Sequence, residues 1–175
     1  MPQKSLPRTP ELLAVGVITG THGVSGWLKV RSYSDESDHL VALREALFRK
    51  GAAERRLPLE AVRALPRGAL LKIRGMDTPE RARGLVGYEI WVPRPQAAPL
   101  LDGEYYVADL VGCSVWFGEE EIGSVRSVWD GGPSQLLEVV AAGGKTHLVP
   151  FDDHFVGEVD IGTGRIFLRE DEIVR

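Results

Sequence analysis

From Leu12 onward the chain runs in short apolar stretches rich in Val, Ile, Leu and Trp. Gly, Asp and Ser clusters break them at intervals of about 8 to 12 residues, the spacing of an all-β barrel or sandwich. In the first half this pattern predicts strands over 12–19, 26–33, 46–50, 56–65, 69–75 and 88–92. Within GWLKVRSY, Trp27, Lys29, Arg31 and Tyr33 alternate with Leu28 and Val30. Successive strand residues point to opposite sides, so one face lies on a core and the other is basic, aromatic and in water.

Two stretches carry helical spacing. SDHLVALREALF places Leu40, Leu43 and Leu47 on one helical face, although its tail also fits a strand. TPERARGLVG has Thr78 to cap, Pro79 for the first helical position and Gly84 or Gly87 to end the turn, and is expected to plug one end of the first barrel.

Residues 93–104, PRPQAAPLLDGE, hold three Pro and two Ala without periodicity and read as a linker. Beyond it strands are predicted over 109–117, 121–129, 135–142, 146–151 and 165–170, with AAGGKT and DIGTGR as hairpin turns. The expected fold class is all-β: two small antiparallel β-barrels joined by a Pro-containing linker, with a short helix in the N-terminal barrel. The domains are 10–93 and 104–175, with 94–103 between them.

The net charge of -4 conceals a division at that linker. Residues 1–93 carry 15 Lys or Arg against 10 Asp or Glu, a balance of +5, whereas residues 94–175 carry 6 against 15, a balance of -9. Phosphate affinity comes from clustered Lys and Arg, so the whole-chain balance argues against nucleic acid while the first half does not. Cys113 is the one cysteine, which excludes an internal disulfide and any cysteine-cluster metal site and fits a reducing, cytoplasmic compartment. The N-terminus has no leader pattern, and no apolar stretch approaches the roughly 18 residues of a membrane span, so secretion and membrane insertion are not expected.

Motifs for catalysis fail on inspection. GKT at 144–146 lacks the earlier Gly of a phosphate loop, Val139 standing there, and leads into a strand where a helix is required. The glycines of GTHGVSG, Gly20, Gly23 and Gly26, miss the dinucleotide spacing and also precede a strand. They form either a plain loop with several positive-φ positions, or one whose bare backbone lies against a large partner with His22 at its tip. His22, His39, His147 and His154 fall in separate segments; His147 with Asp152, Asp153 and His154 reads better as solvated loop ends than as a metal site. The carboxylate pairs, Asp35 with Asp38 and Glu119 to Glu121, lie in hydrophilic turns, and Cys113 sits among alternating apolar residues. No cofactor, metal or catalytic residue is expected. Tyr105 and Tyr106 follow the linker; in a strand they face opposite ways, so one is either an exposed interface anchor or packed between the domains.

The residues Gly16, Ile18, His22, Gly23, Val24, Gly26, Leu28, Val30 and Asp35 resemble the first-strand motif of the bacterial ribosome maturation factor family RimM. EYYVADLVGCSV, EIGSVRSVWDGG, LLEV, LVPF and VDIGTGRI resemble the PRC-barrel domain of the same family, so the likeness covers about residues 12–168. It implies a non-enzymatic factor that binds the immature small ribosomal subunit, contacts a ribosomal protein of the head, and assists head maturation and rRNA processing. By the same resemblance Tyr105 and Tyr106 match a tyrosine pair implicated in attachment to the subunit, and Gly20, His22, Gly23 and Gly26 match the N-terminal glycine loop. Two departures stand out. Gln135 occupies the place of an Asp in a G-A-x-D turn, and the tail REDEIVR lacks a Pro-Gly-Leu ending.

The leading reading is an assembly factor in which the acidic second domain suits a basic ribosomal protein. Lys29, Arg31, Arg55, Arg56, Arg63, Arg67, Lys72 and Arg74 of the first domain are candidates to face rRNA phosphate. A monomer is expected. The competing readings are a barrel protein that binds rRNA directly and an rRNA-processing hydrolase, the scattered carboxylates and histidines counting against the latter.

Overall fold

The structure, a computed structural model, describes residues 10–34 and 36–174. Asp35 and the leader reading of residues 1–9 lie outside them. Two compact units divide the chain, one over Glu11–Pro99 and one from Leu100 onward.

Six strands build the first unit: β1 (Leu12–His22), β2 (Trp27–Ser32), β3 (Glu45–Lys50), β4 (Ala53–Leu65), β5 (Gly68–Ile73) and β6 (Glu89–Pro93). They close into a barrel in the order β1-β2-β5-β4-β3-β6, every pair antiparallel. Closure depends on β1, which pairs with β6 through its first half and with β2 through its second. Register shifts between Ala14 and Gly16 and between Ile18 and Gly20 bend it around the barrel, as an extra residue in one strand does. Gly16 is required at that bend, because a Cβ there sits 2.6 Å from the carbonyl oxygen of Arg31.

Leu28, Phe48, Leu71, Ile73, Ile90 and Val92 fill the interior. The predicted helix over 37–48 is one turn only, α1 (Asp38–Val41). Leu40 and Leu43 are buried as the spacing requires, but from Glu45 the chain pairs residue by residue with β4, and the strand ladder overrides the helical pattern. The second helix forms as α2 (Pro79–Arg83): Thr78 Oγ1 accepts from the Arg81 amide at 3.4 Å, and Ala82 and Leu85 join the barrel core. The Pro-containing segment begins in a 3-10 turn, Arg94–Gln96, whose Arg94 amide donates to Glu11, and Ala98 just beyond is buried.

The second unit holds α3 (Val107–Leu110), β7 (Ser114–Phe117), β8 (Glu120–Asp130), β9 (Gln135–Ala141), β10 (Thr146–Phe151), β11 (Val156–Asp160) and β12 (Arg165–Leu168). Its sheet, ordered β10-β9-β8-β7-β12-β11, curls into a half-barrel around Leu110, Val115, Leu137, Val139 and Ile166. One pair departs from the antiparallel expectation, since β12 lies parallel to β7. The strand predicted over 109–117 begins only at Ser114; Val107–Leu110 is helical and Gly112 turns the chain at φ 89. β11 has no apolar run to announce it, and forms because the Asp160 carboxylate accepts from the Thr163 amide (3.1 Å) and hydroxyl (2.6 Å), closing the hairpin onto β12.

Candidate functional site

The glycine loop is the tip of the β1–β2 hairpin. Gly20 and His22 still belong to β1, opposite Lys29 and Trp27. Gly23 (φ 63) and Gly26 (φ 72) take the left-handed conformation that favours glycine. Gly26 has a second requirement: a Cβ there falls 2.1 Å from the Met76 carbonyl oxygen. Gly23 has open space around it, and Val24 at the tip is 84% exposed beside exposed His22. The loop is therefore fastened at its base and offers an apolar and an imidazole side chain at its apex.

The fastening is Lys72. Its place in the sequence set it among the residues facing RNA, but it is 6% exposed, and its Nζ donates to Ser25 O (2.7 Å), Met76 O (2.8 Å) and Asp77 Oδ1 (2.7 Å). All three ammonium hydrogens are thus committed within the protein, and Lys72 leaves the basic set. Its hydrogen bond and charge hold the Asp77 carboxyl below the usual carboxylate range.

Lys29 and Arg63 stand on either side of Leu70 across β2, β5 and β4. Ala69, Leu71 and Ile73 point into the core, so these three side chains share the outer face. Leu70 is nonetheless only 8% exposed, in keeping with long cationic side chains lying along apolar surface. The Arg63 guanidinium sits 4.6 Å from the centroid of the Trp27 ring. Arg31 lies opposite Gly68, next to Arg67 in the β4–β5 turn, where Arg67 adopts φ 58 and its carbonyl accepts from Ser32 at 3.3 Å. Lys29, Arg31, Arg63 and Arg67 are all exposed on or beside this face. Arg74 is exposed at the far end of β5, Arg55 is exposed on β4, and Arg56 pairs with Glu45 at 3.1 Å. Tyr33, expected on the same face, turns toward β6: its hydroxyl donates to Glu89 at 2.8 Å, and burial followed by that bond pushes it up to about 12.

Tyr105 and Tyr106 do not lie in a strand. They form the approach to α3, so strand alternation does not apply, and both are half-buried. The Tyr105 ring meets Phe151 edge-on at 5.8 Å and packs on the second core. The Tyr106 carbonyl accepts from Asp109 at 2.9 Å and starts the helical turn. Val107 and Val111, four residues apart, are exposed beside the pair at 41% and 39%. Sequence reasoning missed these two valines because it assigned Val111 to a strand; their i, i+4 spacing was the available signal.

The remaining candidates lie in separate turns and in the second core. Asp152 Oδ1 accepts from the His154 and Phe155 amides, a turn of its own, and among the described residues no three His, Cys, Asp or Glu side chains are gathered to hold a metal ion. The Cys113 thiol is buried against Asp109 O at 3.1 Å, and burial pushes it up, away from the thiolate a nucleophile needs. Gly144 closes the GKT segment as a turn at φ 81.

Family models match both units: the RimM N-terminal domain over residues 13–97 and the RimM PRC barrel domain over residues 107–173. The chain belongs to the RimM family. Both RimM domains are present, in the same order as the two units of the fold. A ribosome maturation factor RimM of Treponema denticola is 37% identical over 168 residues, covering 86% of this chain and 92% of its own. That of Treponema pallidum is 40% identical over 163 residues, covering 86% and 94%. A solved structure of a RimM from Pseudomonas aeruginosa aligns over 91% of this chain and 98% of its own at 27% identity, with a TM-score of 0.45.

Proposed function

We propose that this RimM-family chain is a non-catalytic assembly factor of the cytoplasm. It binds the immature small ribosomal subunit, grips a basic ribosomal protein of the head, and assists head maturation and rRNA processing. The observation that carries the reading is the tandem match of both RimM domains, whose relatives are named ribosome maturation factors. The charge division supports it. The half that contains Tyr105 and Tyr106 balances at -9 and suits a Lys- and Arg-rich partner, chiefly by speeding encounter. Tyr106 with exposed Val107 and Val111 supplies the apolar contact. Such a factor acts by binding one arrangement of the subunit better than the others, and shifts the population by no more than that difference in affinity.

A second reading, direct contact with rRNA, draws on the outer face of the first barrel. Lys29, Arg31, Arg63 and Arg67 gather on β2, β4 and the turn before β5, with Arg74 at the other end. The two readings are compatible on one chain.

Co-sedimentation with free small subunits tests the assignment. The wild-type chain is expected to bind and Tyr106→Ala to bind more weakly, with the same circular dichroism spectrum. Failure of the wild type to bind overturns the function; equal binding of both overturns the tyrosine assignment.

A further inference from the structure

The sheet of the second unit has a side that its own core does not use. Val125, Leu137, Val139 and Val149 point into the core, so their strand neighbours point away. Cross-strand register arranges that outer side in rows: Trp129 beside Leu136 beside Pro150, then Ser127 beside Glu138 beside Leu148. Trp129 is 57% exposed and Leu148 51%, while Leu136 and Pro150 are half-buried. Tyr105 meets Phe151 on the core side, so this surface is separate from the Tyr105 ring.

The surface is held rigid from within. A register shift in β8 between Val125 and Ser127 makes room for Arg126, and both Arg126 and Ser127 reach Glu138 of the neighbouring strand. The Trp129 indole N–H donates to the same carboxylate at 3.3 Å, which fixes the ring before anything binds. These bonds hold Glu138 at about 2, fully ionised. Along one end runs an acidic rim, with exposed Asp130 closing β8 and exposed Asp152 and Asp153 following β10. Among the described residues of β8, β9, β10 and the turns between them, the cations are Arg126, already tied to Glu138, and Lys145 in the β9–β10 turn.

We propose that the outer face of β8, β9 and β10 is a docking surface for an extended Lys- and Arg-rich polypeptide segment that lays apolar side chains across Trp129 and Leu148. Charge complementarity selects this occupant: an apolar centre edged by carboxylates, in a half of the chain with 15 acidic and 6 basic residues, fits a cationic chain and repels an RNA backbone. The proposal rests on the reading that the partner is a basic ribosomal protein, and gives that protein a second contact besides the tyrosine pair.

The test uses the full chain and free small ribosomal subunits. Trp129→Ser with Leu148→Ser removes the two exposed apolar side chains, and affinity is expected to fall about tenfold or more, with unchanged circular dichroism and melting temperature. In parallel, a photo-crosslinking amino acid at position 148 is expected to attach to a Lys- and Arg-rich segment of a ribosomal protein. If the wild type binds and the double variant binds equally, the docking surface is wrong while the proposed function stands. Crosslinking to rRNA or to a second copy of this chain also overturns it. A wild type that binds no subunit removes the proposed function and this inference together.

Discussion

Lys72 shows how one residue in a basic set can do structural work. Its stem lies on the barrel and its ammonium joins the β1–β2 tip to the loop before α2. Lys72→Met keeps the apolar stem and leaves two carbonyls without their donor, so a loss of about 1–3 kcal/mol is expected in urea unfolding at neutral pH. Glu138 gives a pH-dependent counterpart. Its folded-state value of about 2 lies below the ordinary 4.5, because the bond from Arg126, then that from Ser127, favours the carboxylate. A depressed carboxylate contributes stability that is present above the unfolded value and is lost as pH falls through the folded one. The urea midpoint is therefore expected to drop between about pH 4.5 and 2, and Glu138→Gln to flatten that part of the profile.

At the scale of elements, the informative segment is the connection between the units. Arg94–Gln96 forms a turn anchored to Glu11, and Ala98 is buried, whereas Leu100 and Leu101 are 42% and 68% exposed and Gly103 turns at φ 82. Backbone that is exposed and outside any ladder is where proteases cut. Limited proteolysis is expected to cleave within residues 100–103 and release two fragments that each keep a β spectrum, which would establish the two domains as independent. Protection there, with cleavage elsewhere first, counts against that division.

For the whole molecule, the sign of the charge differs between the halves, and so should the effect of salt on each interaction. Displaced counterions make phosphate binding fall steeply as salt rises. If the outer face of the first barrel meets rRNA, Lys29→Ala with Arg31→Ala is expected to weaken small-subunit binding and to flatten the slope of log affinity against log salt by about 1 for each phosphate that is no longer neutralised. An unchanged slope at reduced affinity assigns those two residues to something other than phosphate.

The strand pattern, the capped helix at Thr78 and both RimM motifs were legible in the sequence, because alternation, Pro and Gly act within a few residues. Trp27, Lys29 and Arg31 against Leu28 and Val30 predicted the faces of β2 correctly. What failed depended on neighbours distant in sequence. Leu47 joined a strand because β4 lay beside it, and Tyr105 and Tyr106 sat before a helical turn because the strand began only at Ser114. Lys72 looked like any solvated lysine until Ser25, Met76 and Asp77 were brought around it. The sequence by itself determined the family, the all-β class and the split of charge, which are local or additive properties of the chain. Only tertiary structure decided which cations remain free and which apolar side chains meet water, since those depend on partners as far as 47 residues apart, as Lys72 and Ser25 are.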